Sequence, residues 1–552
     1  MLGVPTRHVR IAVQWAVFGT WISLICATRH PMDSWLARTI PVSILLRIDP
    51  LVMTVVTGGM RMGITILMLG FVTLAISLVL GRVFCGWVCP LGAIFDFYGW
   101  FLQRMRVKFL GPSPKWFRLK YYILLALMIF AALGAVSPLM GLDPIVLLTR
   151  TAAAVLNPFW RRSGELTWSV GGNVGTQGFF FDTASLLLFL TIMAGTTRLS
   201  RIWCRTTCPL GAYLAIASRH AALRRQTQNC IHCNICSAHC PTGAISFDNP
   251  EVYTESECIK CFSCSQECPV DANFFTLKNP LPAVTPAYAP VSLERREVLA
   301  TSAAAVLAAT ALQLSAGEPN SAKTLLRPPM SREERDFLTS CIRCDECVKA
   351  CPTGLLKPSG IENGMRALWA PVMKPTEGWC MQGCNACSQA CPTDAILKYP
   401  VAEKYSYKSG TAVFEASRCI SHTEGKFCSE CIRVCPTNAI QFKKGWEPDT
   451  GAADPQSAAG TATADSSAGG PVQLQRGPGA ALVGARGSEM PAPEGQVPTR
   501  PYHVSFEACV GCGACEYVCN QIVMGAPAMV TTSYGRATPT HLPSPNSKET
   551  SQ

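Results

Sequence analysis

Twenty-four of the chain's 29 cysteines fall into six short runs of four. Cys230, Cys233, Cys236 and Cys240 stand as C-x-x-C-x-x-C-x-x-x-C followed by proline, and Cys258, Cys261, Cys264 and Cys268 repeat the pattern. Three thiolates this close can take three corners of an iron–sulphur cubane, while the fourth leaves the turn at the proline and reaches the neighbouring cluster. The expected ligand sets are therefore Cys230, Cys233, Cys236 and Cys268 for one 4Fe-4S cluster, and Cys258, Cys261, Cys264 and Cys240 for the other. Cys341, Cys344, Cys347 and Cys351 keep the spacing. Cys380, Cys384, Cys387 and Cys391 widen the first gap by one residue, and Cys419, Cys428, Cys431 and Cys435 widen it to eight intervening residues. Cys509, Cys512, Cys515 and Cys519 keep it, with Asn520 in place of the proline. Exchange of fourth ligands between neighbours gives two further pairs, so up to six 4Fe-4S clusters are expected. Zinc modules pair cysteines two and two, and disulfide scaffolds are short secreted chains, so neither fits this spacing.

Four more cysteines sit in a phrase written twice. "GRVFCGWVCPLGA" holds Cys85 and Cys89, and "SRIWCRTTCPLGA" holds Cys204 and Cys208. A duplicated module that gathers these four would make a redox or metal centre; the alternative is a structural role for the thiols. A second echo, "RIDPLVMT" and "GLDPIVLLT", places Asp49 and Asp143 in matching apolar segments broken by Asp-Pro. Interrupted apolar segments at equivalent places in two repeats point to a binding site. Asp49 and Asp143 are the candidate quinol-site residues, since a carboxylate can accept the proton that quinol must release. The plainer alternative is an Asp N-cap with proline in the first helical position. Cys26, the last cysteine, reads as a small packing residue.

These groups need a frame, and the composition suggests one. Hydrophobic residues make up 49% of the chain and charged residues 15%, a balance that points to a membrane-embedded part. Apolar runs at 11–28, 62–80, 121–140, 175–197 and 298–315 approach the roughly 20 residues that span a bilayer. Fifteen Lys and Arg flank the first four runs on one side and seven on the other, which places the amino terminus and both C-P-L-G-A phrases in the cytoplasm. The expected fold class is an α-helical membrane module of duplicated two-span units, followed by α+β two-cluster ferredoxin-like domains. The expected divisions are 1–225 for the membrane module, 226–280 for a cytoplasmic two-cluster domain and 281–330 for a linker with the fifth span. Residues 331–445 form a polyferredoxin domain and 501–530 the last cluster motif. The Ala-, Gly-, Ser- and Pro-rich stretch 446–500 and the tail 531–552 read as disordered.

Arg295 and Arg296 precede the fifth apolar run, which resembles a twin-arginine export signal placed internally. Such a signal would carry the later clusters to the periplasm after folding. No C-x-x-C-H occurs, and all eight histidines lie outside the five span cores, so no haem is expected. No nucleic-acid partner is expected.

The membrane half, with Cys85, Cys89, Cys204, Cys208 and the eight cysteines from Cys230 to Cys268, resembles the NapH-type quinol dehydrogenase subunit of periplasmic nitrate reductase systems. The later half, with its long first gap at Cys419 to Cys435, is similar to the MauM/NapG-type exported ferredoxins. The resemblance implies a multi-pass protein of the bacterial inner membrane, in contact with lipid. It would take electrons from quinol through 4Fe-4S clusters to a redox partner, a periplasmic reductase. It would thus be an electron-transfer component with quinol dehydrogenase activity. Two rivals are a metalloenzyme assembly factor of the cytochrome oxidase type and a membrane polyferredoxin facing the cytoplasm.

Overall fold

The computed structural model describes residues 6–27, 41, 43–61, 67–105, 114–134, 138–165, 182–277, 293–314, 325–424, 428–442, 502–505, 507–523 and 527–532. The predicted linker 446–500 lies outside the described residues; of the tail expected to be disordered at 531–552, Thr531 and Thr532 instead end a paired strand, Met529–Thr532, and the rest lies outside the described residues.

Helix α1 spans Thr6–Ala27, α2 Pro50–Met60, α3 Leu69–Leu80, α4 Pro90–Arg104 and α5 Leu119–Ala132. The second set is α6 Pro144–Glu165, α7 Asp182–Thr196 and α8 Pro209–Ala217. Helices α2, α3 and α4 correspond in order to α6, α7 and α8. Asp49 caps α2 by accepting from the backbone N–H of Leu51 at 2.8 Å and Val52 at 3.3 Å. Asp143 caps α6 the same way, from Ile145 at 2.9 Å and Val146 at 3.2 Å. Proline in the first position of each helix has no N–H to lose and a preset φ, so Asp-Pro starts both helices for the same reason. Cys89 and Cys208 likewise precede the prolines that begin α4 and α8.

The helical runs are shorter than the apolar runs suggest. The run 121–140 is helical only to Ala132, because Gly134 adopts φ 73° and Pro138 opens a separate 3₁₀ turn; glycine past the last helical residue is a common helix stop. Among the described residues, Arg7–Cys26 is long and apolar enough to cross a membrane, while Pro50–Met60, Leu69–Leu80, Pro144–Val155 and Ser185–Thr196 are apolar but shorter. Part of the run 62–80 and the beginning of 175–197 lie outside the described residues.

Helix α9, Arg295–Leu314, lies along α5 in the same direction. Arg118 pairs with Glu294 at 2.7 Å where both begin, and Phe130 packs on Ala305 and Ala309 further along. Strands β1 Leu223–Thr227 and β2 Asn273–Leu277 pair antiparallel and close the unit that carries the first two cysteine motifs. After α9 come α10 Glu334–Ser340, α11 Glu346–Ala350 and the antiparallel pair β3 Leu356–Pro358 and β4 Pro371–Met373. Strands β5 Thr411–Phe414, β6 Ile440–Phe442, β7 Tyr502–Val504 and β8 Met529–Thr532 pair as β5–β8 and β6–β7. The last motif is therefore built into one unit with the fifth, although the sequence places a long stretch between them.

One hydrophobic cluster runs through the helical bundle. It joins Leu51, Val52, Ile145 and Val146, all fully buried, to Cys85, Cys89, Cys204 and Cys208. Ile259 and Cys261 enter it from the β1–β2 unit, and Ile342 and Cys344 from the segment after α10.

Candidate functional site

Each of the six motifs places its third cysteine in the first turn of a helix: Ile235–Ala238, Ser263–Gln266, α11, Ala386–Ala390, Glu430–Arg433 and α12 Ala514–Val523. In the strict-spacing motifs the residues on either side of the second cysteine take positive φ. They are His232 and Asn234, Lys260 and Phe262, Arg343 and Asp345, and Gly511 and Gly513. That coil turns three thiols toward one point. The widened motifs reach the same point differently, with Asn385 at φ −127° and Ser429 at φ −133°.

The fourth cysteine leaves its helix in extended conformation, as at Cys351 and Cys391. Five motifs continue C-P-x-[GDN], followed by alanine in four and by Leu355 in the other, and Gly243, Asp271, Gly354, Asp394 and Asn438 all have positive φ. The turn returns a backbone N–H to the sulphur: Ala244 to Cys240 at 3.3 Å, Ala272 to Cys268 at 3.2 Å and Ala439 to Cys435 at 3.2 Å. This second signal was readable in the sequence and the cysteine spacing alone misses it. With Asn520 replacing proline, α12 runs on to Val523, and Ala528 supplies the donor to Cys519 at 3.1 Å. Proline is the residue that would have stopped that helix.

In five of the six expected sets, thiols from two motifs come together. Cys341, Cys344 and Cys391 surround Cys347, and Cys380, Cys384 and Cys351 surround Cys387. Cys428, Cys519 and Cys419 surround Cys431. Cys435, Cys509, Cys512 and Cys515 line one hollow. Cys258, Cys261 and Cys240 surround Cys264. For the remaining set, Cys236 lies beside Cys230. Burial pushes the Cys341 thiol up to about 11 and the Cys258, Cys431 and Cys512 thiols up to about 12, with neighbouring cysteines adding to the rise. Four such thiols become thiolates together only when iron replaces their protons. The donor sets therefore fit 4Fe-4S clusters.

The repeated phrases also converge. Cys208 lies within electrostatic reach of Cys204, Cys85 and Asp143, and Cys89 within reach of Cys85 and Cys204. Cys85, Cys89, Cys204 and Cys208 are 3–8% exposed. Arg201 donates to the carbonyls of Cys85 at 3.3 Å and Gly92 at 3.2 Å, so the second phrase's arginine sits on the first phrase's C-P-L-G turn. Arg82 does the reverse and lies against Gly211. A Cβ at Gly92 would stand 2.8 Å from the Cys85 carbonyl oxygen, and one at Gly211 3.0 Å from the Arg82 guanidinium. The shared arginine and glycine are explained by this exchange.

Asp49 and Asp143 are fully buried. Each caps its helix with one oxygen; the other oxygens are buried, and the two carboxyls meet each other. The capping reading is what the structure displays. The pairing of the two carboxyls was not legible in either echo alone.

The β1–β2 unit packs on the thiol side. A Cβ at Gly86 would stand 2.3 Å from the Ile259 carbonyl oxygen, and Glu257 receives Arg82 at 2.9 Å and Lys120 at 2.6 Å. The segment after α10 packs on the carboxyl side, where Arg150 pairs with Asp345 at 3.2 Å and stacks on Trp369 at 4.2 Å.

Two family models described as 4Fe-4S binding domains match the chain, one at residues 62–108 and again at 181–227, the other at 506–525. A 4Fe-4S dicluster domain model matches at 229–272, 340–395 and 379–439. The last of these spans the fourth and fifth motifs, whereas in space the thiols of the fifth lie with those of the sixth. Among curated proteins, the chain is 36% identical over 154 residues to the methylamine utilization ferredoxin-type protein MauM of Methylorubrum extorquens, covering 27% of this chain and 69% of that protein. It is 33% identical to MauM of Paracoccus denitrificans, covering 26% of this chain and 65% of the relative. It is 28% identical to the ferredoxin-type protein NapG of Escherichia coli, covering 26% and 61% respectively. The match thus spans about two thirds of these relatives. No solved structure matches the chain.

Proposed function

The chain belongs to the NapG/MauM-type family of ferredoxin-type proteins, which are iron–sulphur electron-transfer proteins, and from that premise we propose a membrane-anchored conduit that takes electrons from quinol and delivers them to a reductase in the periplasm. The observation that carries this reading is the placement of the two cluster-bearing units. One rests on the thiol layer of the bundle through Ile259 and Glu257, and the other on the carboxyl layer through Asp345 and Trp369. Helix α9 leads the chain from the first side toward the second. The flanks of the bundle support a lipid setting: Phe71, Val72, Val79, Leu187, Leu299 and Leu307 are 52–70% exposed, and apolar surface on this scale marks a membrane or partner contact.

When bound, each 4Fe-4S cluster accepts and releases one electron, so a series of them divides the two electrons of quinol into single transfers. Quinol oxidation also releases two protons, and in this reading Asp49 and Asp143 are their acceptors. The cluster ligands are the 24 cysteines paired as above. The fused arrangement, a NapH-type membrane half joined to an exported MauM/NapG-type half, is part of the proposal.

The test uses the anaerobically purified full chain in sealed vesicles. Quinol in the bilayer should bleach the visible cluster absorbance, and a membrane-impermeant oxidant on the side of the Cys341–Cys519 unit should restore it. Bleaching that only a cytoplasmic-side oxidant reverses would sink the conduit.

A further inference from the structure

We propose that Cys85, Cys89, Cys204 and Cys208 together hold a seventh 4Fe-4S cluster, seated inside the helical bundle between its two halves. The matched segments 62–108 and 181–227 contain only two cysteines each. A 4Fe-4S cluster takes four thiolates, so neither segment can bind one alone, and the fold brings the two pairs together.

Charge supports the assignment independently. Arg10 and Arg201 share the single carboxylate of Asp96, at 2.7 and 2.6 Å. Arg82 and Lys120 share that of Glu257. Each triad has two cations and one anion, and Arg82 and Lys120 are at most 1% exposed. Arg205, which also approaches Glu257, adds positive charge rather than removing it. The Nε and Nη2 atoms of Arg82 are buried and lack a hydrogen-bond partner. The triads thus leave a buried excess of two positive charges beside four neutral thiols, which the mutually repelling Asp49 and Asp143 carboxyls beyond Cys208 offset only in part, and such an excess is unfavourable. Four thiolates around a doubly positive cubane core carry two negative charges and cancel the excess.

Spacing separates a cubane from a single ion. A tetrahedral zinc holds its sulphurs at about 2.3 Å and hence about 3.8 Å from one another. Among the described residues, the one three-ligand group converging within 4.8 Å is Cys230, His232 and Glu251, so no three of these four sulphurs approach that closely. The six ferredoxin-type sets share this wider spacing.

The site also has neighbours on both sides. Arg201 lies within reach of Cys261, and Cys344 belongs to the same hydrophobic cluster as the four thiols. The assignment rests on the iron–sulphur reading of the six motifs but not on membrane, quinol or direction of flow.

Iron and acid-labile sulphide are measured on the full chain purified anaerobically. Seven cubanes require about 28 irons per chain, and Cys85→Ser with Cys204→Ser should lower this to about 24, with the electron paramagnetic resonance of the other clusters unchanged. Wild-type content of about 24 irons that the double variant leaves intact would overturn the seventh cluster, as would stoichiometric zinc lost in the variant. Should the variant fail to fold, the wild-type count decides alone. Failure of the six-motif reading itself would appear separately, as wild-type iron well below 24.

Discussion

Replacing Arg150 by methionine tests how the later cluster unit is held on the bundle. Arg150 and Asp345 side chains are 2% and 1% exposed and meet at 3.2 Å, and the guanidinium stacks 4.2 Å above Trp369. Methionine keeps most of the side-chain volume but leaves Asp345 buried without this cation. Removing one partner of a buried pair costs about 3–5 kcal/mol. The lower value applies here, because the contact is single rather than bidentate, and the lost stacking adds about 1 kcal/mol. The sum of about 4 kcal/mol corresponds to nearly a thousandfold increase in the population of undocked molecules. Hydrogen exchange on the cluster-loaded protein reads this directly. Amides of α10 and α2, which face each other, should exchange between a hundredfold and a thousandfold faster, while those of β5 and β8 stay unchanged. Adding Asp345→Leu removes the stranded carboxylate and should recover most of the protection. Exchange in the single variant within about threefold of wild type would refute the claim that this pair fastens the interface.

Cys519→Ser should cost about four irons and abolish the signal of the cluster set by Cys419, Cys428 and Cys431, leaving that of Cys509, Cys512 and Cys515 in place; the reverse pattern in resonance Raman spectra would contradict the exchange. Asp49→Asn and Asp143→Asn keep a capping side chain, so cluster content should hold while reduction by quinol slows by roughly 100-fold; stopped-flow rates equal to wild type would return both residues to capping alone. Arg295→Lys with Arg296→Lys should silence a reporter fused after Met529 that is active only in the periplasm, with Cys230 to Cys268 still loaded. A reporter silent in the unmodified chain too would favour a polyferredoxin facing the cytoplasm.

What could be read in the sequence was local. The turn that gathers Cys341, Cys344 and Cys347 is set by residues within that turn, and so is its proline exit. Both Asp-Pro helix starts were legible for the same reason. Span lengths were not, because apolar content continues through Gly134 and Pro138 while helical backbone does not. The charges that fasten the parts were hidden as well. Glu257 meets Lys120 and Asp345 meets Arg150 across long sequence separations, and nothing near either residue marks its partner. The crossed arginines fall between these cases. The repeat displayed Arg82 and Arg201 as shared letters, but only the fold reveals that each serves the other half.

If Cys435 and Cys519 exchange across the stretch between β6 and β7 as proposed, iron becomes a cross-link. Two strand pairs tie the chain before that stretch to the chain after it, and two clusters would add to them. Such a tie closes a loop of roughly 70 residues, which on the chain-entropy account of cross-links is worth about 4 kcal/mol to the folded unit. It also sets an order of assembly. Neither ligand set is complete until synthesis has reached Cys515 for the one and Cys519 for the other, so a ribosome-bound chain would hold this unit open and unmetallated however long its earlier cysteines have been in place. A protease cut between β6 and β7 would leave the two pieces associated, and a chelator would then release them.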